Sequence, residues 1–388
     1  MRIRLLFGLL LSSLAATAQP APELCQGAYF TETQGQAFLA QQAAAYPTLA
    51  DWKQRAEAIR AQIRRGAELE TLPPRPTSRP IIHSRRDFDG YSVENVAFES
   101  LPGVYVTGNL YRPLSRKGKV PGILCPHGHG GSQDNRLLEY TQKRCASLAR
   151  MGAVVFAWDM LGYGDQRGIS DHKLPKAFKL QTINSIRSLD FLLSLPEVDA
   201  RRVAVTGESG GGTQTFMLTA LDPRVTLAVP TVMVSSYFFG GCTCESGMPV
   251  HKRGDFQTNN VEIAALAAPR PLLLISDGGD WTKHTPEVEF PHVRRIYDLF
   301  GRKDQVEYVH LADEKHDYGP SKRAAMYRFI GKHFRLDVSR VFGASGKLDE
   351  SGVTVLAPEQ LAVFTPAFPR PANALVGDAA LTALVDRR

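Results

Sequence analysis

Residues 203–212 read Val203-Ala204-Val205-Thr206-Gly207-Glu208-Ser209-Gly210-Gly211-Gly212. Val203 to Thr206 is a short β-branched, apolar run, the composition of a buried strand. The glycines open a stretch of helical pattern from Gly210 to Leu221. Between the two stands Gly-x-Ser-x-Gly, in the context that a strained nucleophile turn requires. Flanking glycines remove Cβ atoms where such a turn is tight. The turn aims the Ser209 hydroxyl into the crevice beyond the strand ends. The amide of Gly210, at a helix N-terminus, then faces developing negative charge. The plain alternative is an ordinary glycine-rich turn, but the strand before it and the helix after it favour a nucleophile.

Outward from this turn the chain alternates strands and helices. Strands are expected at Gly122–Pro126, Ala153–Trp158, Val203–Thr206, Leu227–Val234, Leu272–Ser276 and Val306–His310. Helices are expected at Leu137–Met151, Leu180–Leu195, Gly210–Leu221, Val261–Ala267, Val288–Phe300 and Lys322–Phe334. Continuous apolar strands separated by helices predict an α/β fold, a mostly parallel sheet covered on both faces. Tyr91–Phe98 and Val104–Tyr111 alternate around Leu101-Pro102-Gly103 and predict an antiparallel N-terminal hairpin. From Thr31 to Gly66 the pattern is helical, with Trp52, Ala56, Ile59 and Ile63 on one face, and the prolines from Pro73 to Pro80 end it. The expected organisation is a leader at 1–18, a small helical module and linker at 19–85, a catalytic domain at 86–335 and a C-terminal extension at 336–388.

The leader has Arg2 and Arg4, an apolar run from Leu5 to Leu14, and Ala16-Thr17-Ala18 as a small-x-small cleavage site. This pattern predicts export, with Gln19 as the mature N-terminus and a secreted or periplasmic product. No Cys follows Ala18, so no lipid anchor is expected, and no later apolar run has the length of a membrane span. The 388 residues are 43% apolar and 22% charged, an ordinary globular composition. Loss of the leader lowers the formal net charge from +7 to +5. The basic residues are scattered, without the stripe that nucleic acid requires, so neither nucleic acid nor membrane is an expected partner.

A hydroxyl nucleophile needs a base, and the base an orienting acid, in the chain order Ser, acid, His for this arrangement. Leu272 to Ser276 is a buried strand that ends in Asp277-Gly278-Gly279-Asp280-Trp281. Asp280 lies at the expected offset for the acid. Asp277, better suited to hold the turn, and Glu245, after the preceding strand, remain alternatives. His316 follows the last strand and is the candidate base. His310, within the strand, reads as structural. Pro126-His127-Gly128-His129-Gly130-Gly131 follows the strand at 122 and resembles a loop that supplies the second oxyanion donor. The amide of His129 is the candidate, with Gly128 and Gly130 as alternatives. Removing one such donor costs roughly 2.7–4 kcal/mol of transition-state stabilisation. Trp281, Trp158, His284 and Glu245 are candidates for substrate contact, with core packing the alternative for the aromatic rings. Asp159-Met160-Leu161-Gly162-Tyr163-Gly164 reads as a loop that shapes the site.

Five cysteines, Cys25, Cys125, Cys145, Cys242 and Cys244, leave at least one thiol free. Cys242-Thr243-Cys244 invites a metal reading, as does His127 with His129. A closed zinc site takes four ligands, and no second pair is visible beside either. No metal and no organic cofactor is therefore expected, and the cysteine pair reads as a structural turn, with a bridge to Cys25 the remaining option.

Several of these segments together resemble the bacterial α/β-hydrolases known as acetyl xylan esterase-like, a carbohydrate esterase family. The resembling residues are Asp89-Gly90-Tyr91, Val93 to Ser100, Gly108 to Tyr111, Gln181 to Ser185, the Ser209 turn with Thr213-Gln214-Thr215, Gly240 to Glu245, Asn259 to Ala264, and Gly279 to Thr282. The likeness runs from about Tyr29 to Phe334. It implies an α/β-hydrolase fold, a triad of Ser209, Asp280 and His316, and an ester borne on a sugar. Removal of acetyl groups from xylan-type polysaccharides or oligosaccharides is the leading expectation. Cleavage of uronic acid methyl esters is the alternative. A peptidase and a catalytically silent glycan-binding protein are the remaining rivals. Oligomeric state is not encoded in these patterns.

Overall fold

The computed structural model describes residues 23–130 and 134–386. The leader and its cleavage site lie outside them. Eleven strands and eleven helices are present among the described residues. Strands β1 (Ile81–Asp87), β2 (Tyr91–Leu101), β3 (Val104–Pro113), β4 (Val120–Leu124), β5 (Val154–Trp158), β6 (Val198–Glu208), β7 (Leu227–Thr231), β10 (Leu272–Asp277) and β11 (Val306–Leu311) form one sheet. A two-stranded ribbon, β8 (Lys252–Arg253) with β9 (Phe256–Gln257), stands apart. The helices are α1 (Glu32–Ala45), α2 (Leu49–Gly66), α3 (Glu139–Arg150), α4 (Ala177–Ser194), α5 (Gly210–Leu221), α6 (Thr243–Ser246), α7 (Asn260–Ala265), α8 (Phe290–Leu299), α9 (Pro320–Phe334), α10 (Pro358–Leu361) and α11 (Asp378–Val385).

The sheet order is β1-β2-β3-β5-β4-β6-β7-β10-β11. The first three strands and the β3–β5 junction are antiparallel, and β5 through β11 pair in parallel. Strand period fixes two apolar faces. Val203, Val205, Leu272 and Leu274 face a layer with Phe178, Ile183 and Phe191 of α4, Phe216 of α5 and Ile296 of α8. Ala204, Leu273 and Ile275 face Cys145 and Leu148 of α3 and Met326 and Ile330 of α9. Both faces are covered, as a mostly parallel sheet requires. This is the α/β-hydrolase fold, and the opening hairpin is β2 with β3.

Three expectations need correction. The helical stretch from Thr31 is two helices, because Pro47 interrupts it and Thr48 caps α2, its hydroxyl accepting the Asp51 amide. This segment is no separate module: Leu39, Trp52, Ile59 and Ile63 share one core cluster with the helices on the sheet, and Arg55 pairs with buried Glu262 at 2.6 Å. The sheet also begins before residue 86. β1 pairs with β2 but carries His83, Ser84, Arg85 and Arg86, and Ser84 has φ 56° where the register shifts. A polar, irregular edge strand gives no apolar alternation to read. The C-terminal extension needs no such correction: it docks on the domain. Val353, Leu356 and Leu361 join one core cluster, and Leu381 and Val385 the other.

Candidate active site

Ser209 stands between β6 and α5 with φ 55° and ψ −122°, a region that L-residues rarely occupy. A Cβ on Gly211 would lie 2.6 Å from the Pro126 carbonyl oxygen, and one on Gly207 would meet the same atom. These two glycines therefore let the turn close against the loop after β4. Among the described residues neither Gly210 nor His129 offers its amide to an acceptor. Gly128 is different: its N–H donates to the Glu208 carboxylate at 3.0 Å. That bond removes Gly128 from the possible oxyanion donors.

Glu208 is buried, and its second oxygen accepts from Arg144 of α3 at 2.5 Å. The Arg144 guanidinium lies over the Tyr318 ring, 4.5 Å from its centre. The turn and the facing loop are thus clamped by one buried ion pair. Pattern alone missed it, because the partners are 64 residues apart.

Asp280 and His316 come together. His316 Nδ1 is 2.6 Å from Asp280 Oδ2, while Asp280 Oδ1 accepts from the amide and hydroxyl of Thr282, each at 2.6 Å. Three donors fix the carboxylate, and it fixes the ring. Ser209, Asp280 and His316 follow β6, β10 and β11, at the C-terminal ends of parallel strands. Among the described residues no hydrogen bond joins Ser209 to His316, whose Nδ1 is held by Asp280; serine–histidine contacts of this kind often tighten only around substrate. Asp277 faces elsewhere. It accepts the Gly279 amide at 3.1 Å and pairs with buried Lys322 at 3.1 Å, and burial raises its carboxyl above the usual range. His310 bonds Ser276 at 2.9 Å.

The substrate-contact candidates divide. Trp281 is half-buried, stacked on Phe238 at 3.9 Å and 4.7 Å from the His316 ring. Trp158 is not a contact residue: it is 2% exposed and stacks on Phe156 within the core. His284 is held by Glu32 of α1 at 2.7 Å. Glu245 is buried and engaged within the protein: it accepts the Cys242 amide at 3.0 Å and faces His129 Nδ1 at 3.8 Å.

The loop after β5 is held from below. Arg136 is buried and bonds Asp159 at 2.7 and 3.0 Å and Asp165 at 2.8 Å. Asp165 also accepts the amides of Val363 and Phe364. Arg136 sits in a stretch without periodicity, and nothing local marked it.

The reasoning against a metal also changes. His127 is spent on backbone: its Nε2 accepts the Met160 amide at 3.1 Å and its Nδ1 meets the Gly128 carbonyl at 2.8 Å, with burial pushing its pKa down to about 3. The partners of Cys242 and Cys244 are His129 and His172, from loops no pattern could place, and all four ligand atoms lie within 4.8 Å of one another. All five cysteines are free thiols.

A strained Gly-x-Ser-x-Gly turn, an assembled carboxylate–imidazole pair and a doubly covered parallel sheet fit one class, a hydrolase of α/β type. The acetyl xylan esterase family model (AXE1) matches residues 67–239. Methylesterase BT1017 is 40% identical and aligns over 92% of this chain and 79% of its own, with a TM-score of 0.86. The 4-O-methyl-glucuronoyl methylesterase 1 of Wolfiporia cocos is 26% identical over 347 residues, 77% of this chain and 80% of its own length. YtaP of Bacillus subtilis is 27% identical over 183 residues, 43% of this chain and 57% of YtaP. The chain belongs to the acetyl xylan esterase-like α/β-hydrolases, a carbohydrate esterase family of carboxylic ester hydrolases.

Proposed function

We propose that this chain is an exported serine esterase that cleaves esters on plant cell-wall polysaccharides. The observation that carries the reading is the 2.6 Å bond between Asp280 and His316, on the strand-end face that also bears the Ser209 turn. Ser209 Oγ attacks the ester carbonyl while His316 Nε2 takes its proton. Asp280 holds the imidazolium that forms, and the amides of Gly210 and His129 receive the oxyanion. His316 then returns the proton to the leaving alcohol. Water, deprotonated by His316, attacks the acyl-enzyme and frees Ser209.

A methyl ester on a uronic acid is the preferred substrate class, supported by the methylesterase names of BT1017 and the Wolfiporia protein. The polymer-borne acyl group then stays on Ser209 as methanol leaves. Acetylated xylan is the second reading, supported by the family model; there the sugar hydroxyl leaves and Ser209 carries acetyl. The Trp281 ring, half-buried beside His316, supplies a face on which a sugar can stack. Measuring methanol and acetate released from methylated pectins, glucuronoxylan and acetylated xylan tests the assignment. Methanol from the uronate polymers is expected; acetate alone would reverse the order, and neither product would reject the substrate class.

A further inference from the structure

We infer that His129, His172, Cys242 and Cys244 form a closed tetrahedral site for a divalent zinc-class cation beside the nucleophile turn. Two imidazoles and two thiols with ligand atoms within 4.8 Å of one another match the donor set and size of a Cys2His2 centre. The ligands come from three separate segments: the loops after β4 and β5, and the start of α6 after β7.

The surroundings orient the ligands inward. His172 Nδ1 lies 2.6 Å from the Leu161 carbonyl, to which it can only donate, so its Nε2 carries a lone pair. That Nε2 is 2.9 Å from His129 Nε2, which is itself 3.2 Å from Cys244 Sγ. The other nitrogen of His129 faces the buried Glu245 carboxylate at 3.8 Å. A carbonyl behind one histidine and a carboxylate behind the other is the usual second layer of a zinc site. Tyr163, itself buried, places its ring edgewise to both imidazoles, at 6.2 and 4.8 Å. A dication balances two thiolates, whose protons leave to solvent as the ion binds.

Four protein ligands complete the tetrahedron and leave no position for substrate or water, so the ion is structural. Its location still matters to the reaction. His129 Cε1 lies 2.5 Å from where a Cβ on Gly210 would stand. The ion therefore pins the loop that carries the His129 amide against the residue that follows Ser209.

Metal content tests this independently of the esterase reading. The full chain, purified without chelator from zinc-supplemented cells, is expected to hold roughly one zinc per chain by plasma mass spectrometry. Replacing zinc with cobalt should give the visible bands and near-ultraviolet sulfur-to-metal absorption of tetrahedral thiolate coordination. Cys244→Ser should lose the metal. Should Cys244→Ser fail to fold, Cys242→His keeps four ligands and should bind cobalt with about half the sulfur-to-metal intensity. Wild-type chain that takes up neither zinc nor cobalt under reducing conditions, or a Cys242→His spectrum as intense as wild type, would overturn the site.

Discussion

The amide of Gly128 donates to the carboxylate of Glu208, the residue immediately before Ser209, at 3.0 Å. The same carboxylate neutralises buried Arg144 at 2.5 Å. Arg144→Met is therefore expected to leave a carboxylate buried without a counter-charge, at about 3–5 kcal/mol of folding stability. Chemical denaturation would read this as a lowered midpoint. The double variant with Glu208→Gln should recover part of the loss, since no lone charge then remains buried. Additive losses would show that the pair does not act as a unit.

Ser209→Ala is expected to lower kcat on p-nitrophenyl acetate by roughly 10⁴-fold or more while leaving the melting temperature almost unchanged. Fluorophosphonate labelling should vanish in the same variant. Retained turnover or labelling would remove Ser209 as nucleophile and admit a silent glycan binder or another chemistry.

Asp280→Asn should lower kcat by about 10⁴-fold, because the amide favours the wrong His316 tautomer. Asp277→Asn should instead cost about 1–3 kcal/mol of stability through its bond to Lys322, with far smaller kinetic effect. Parallel kinetics and melts of the two variants separate the acid from its neighbour. Equal kinetic losses would contradict the assignment.

Trp158→Ala should destabilise the fold by about 3–5 kcal/mol, as expected for a ring buried in the core, with KM unchanged in the folded fraction. Trp281→Ala should raise KM for oligosaccharide esters while sparing p-nitrophenyl acetate. If both substrates respond alike, Trp281 is not a sugar platform.

Legibility in the sequence followed the range of the interaction. The Ser209 turn, the hairpin of β2 and β3 and the six parallel strands are written in contiguous residues, where period and glycine placement act locally. Asp280 could be read because it follows a buried strand, and His316 because it follows the last strand of the alternation. Trp158 shared that position and yet belongs to the core, since strand ends hold packing rings as well as functional ones. His172, Arg136 and the Arg144–Glu208 pair gain meaning only from partners brought together by the fold. The metal argument from sequence counted ligands along the chain, whereas the fold gathers them across three segments.

The Leu361 carbonyl accepts from Arg136, and the Val363 and Phe364 amides cap Asp165. Charges at the heart of the catalytic layer are thus satisfied by residues synthesised almost last. A nascent chain stopped at Phe334 already owns every strand and every reactive side chain named above, yet its arginine–aspartate hub still lacks these polar partners. Deleting the chain beyond residue 350, unlike changing its surface, is accordingly expected to loosen the loop after β5 and lower turnover from a distance.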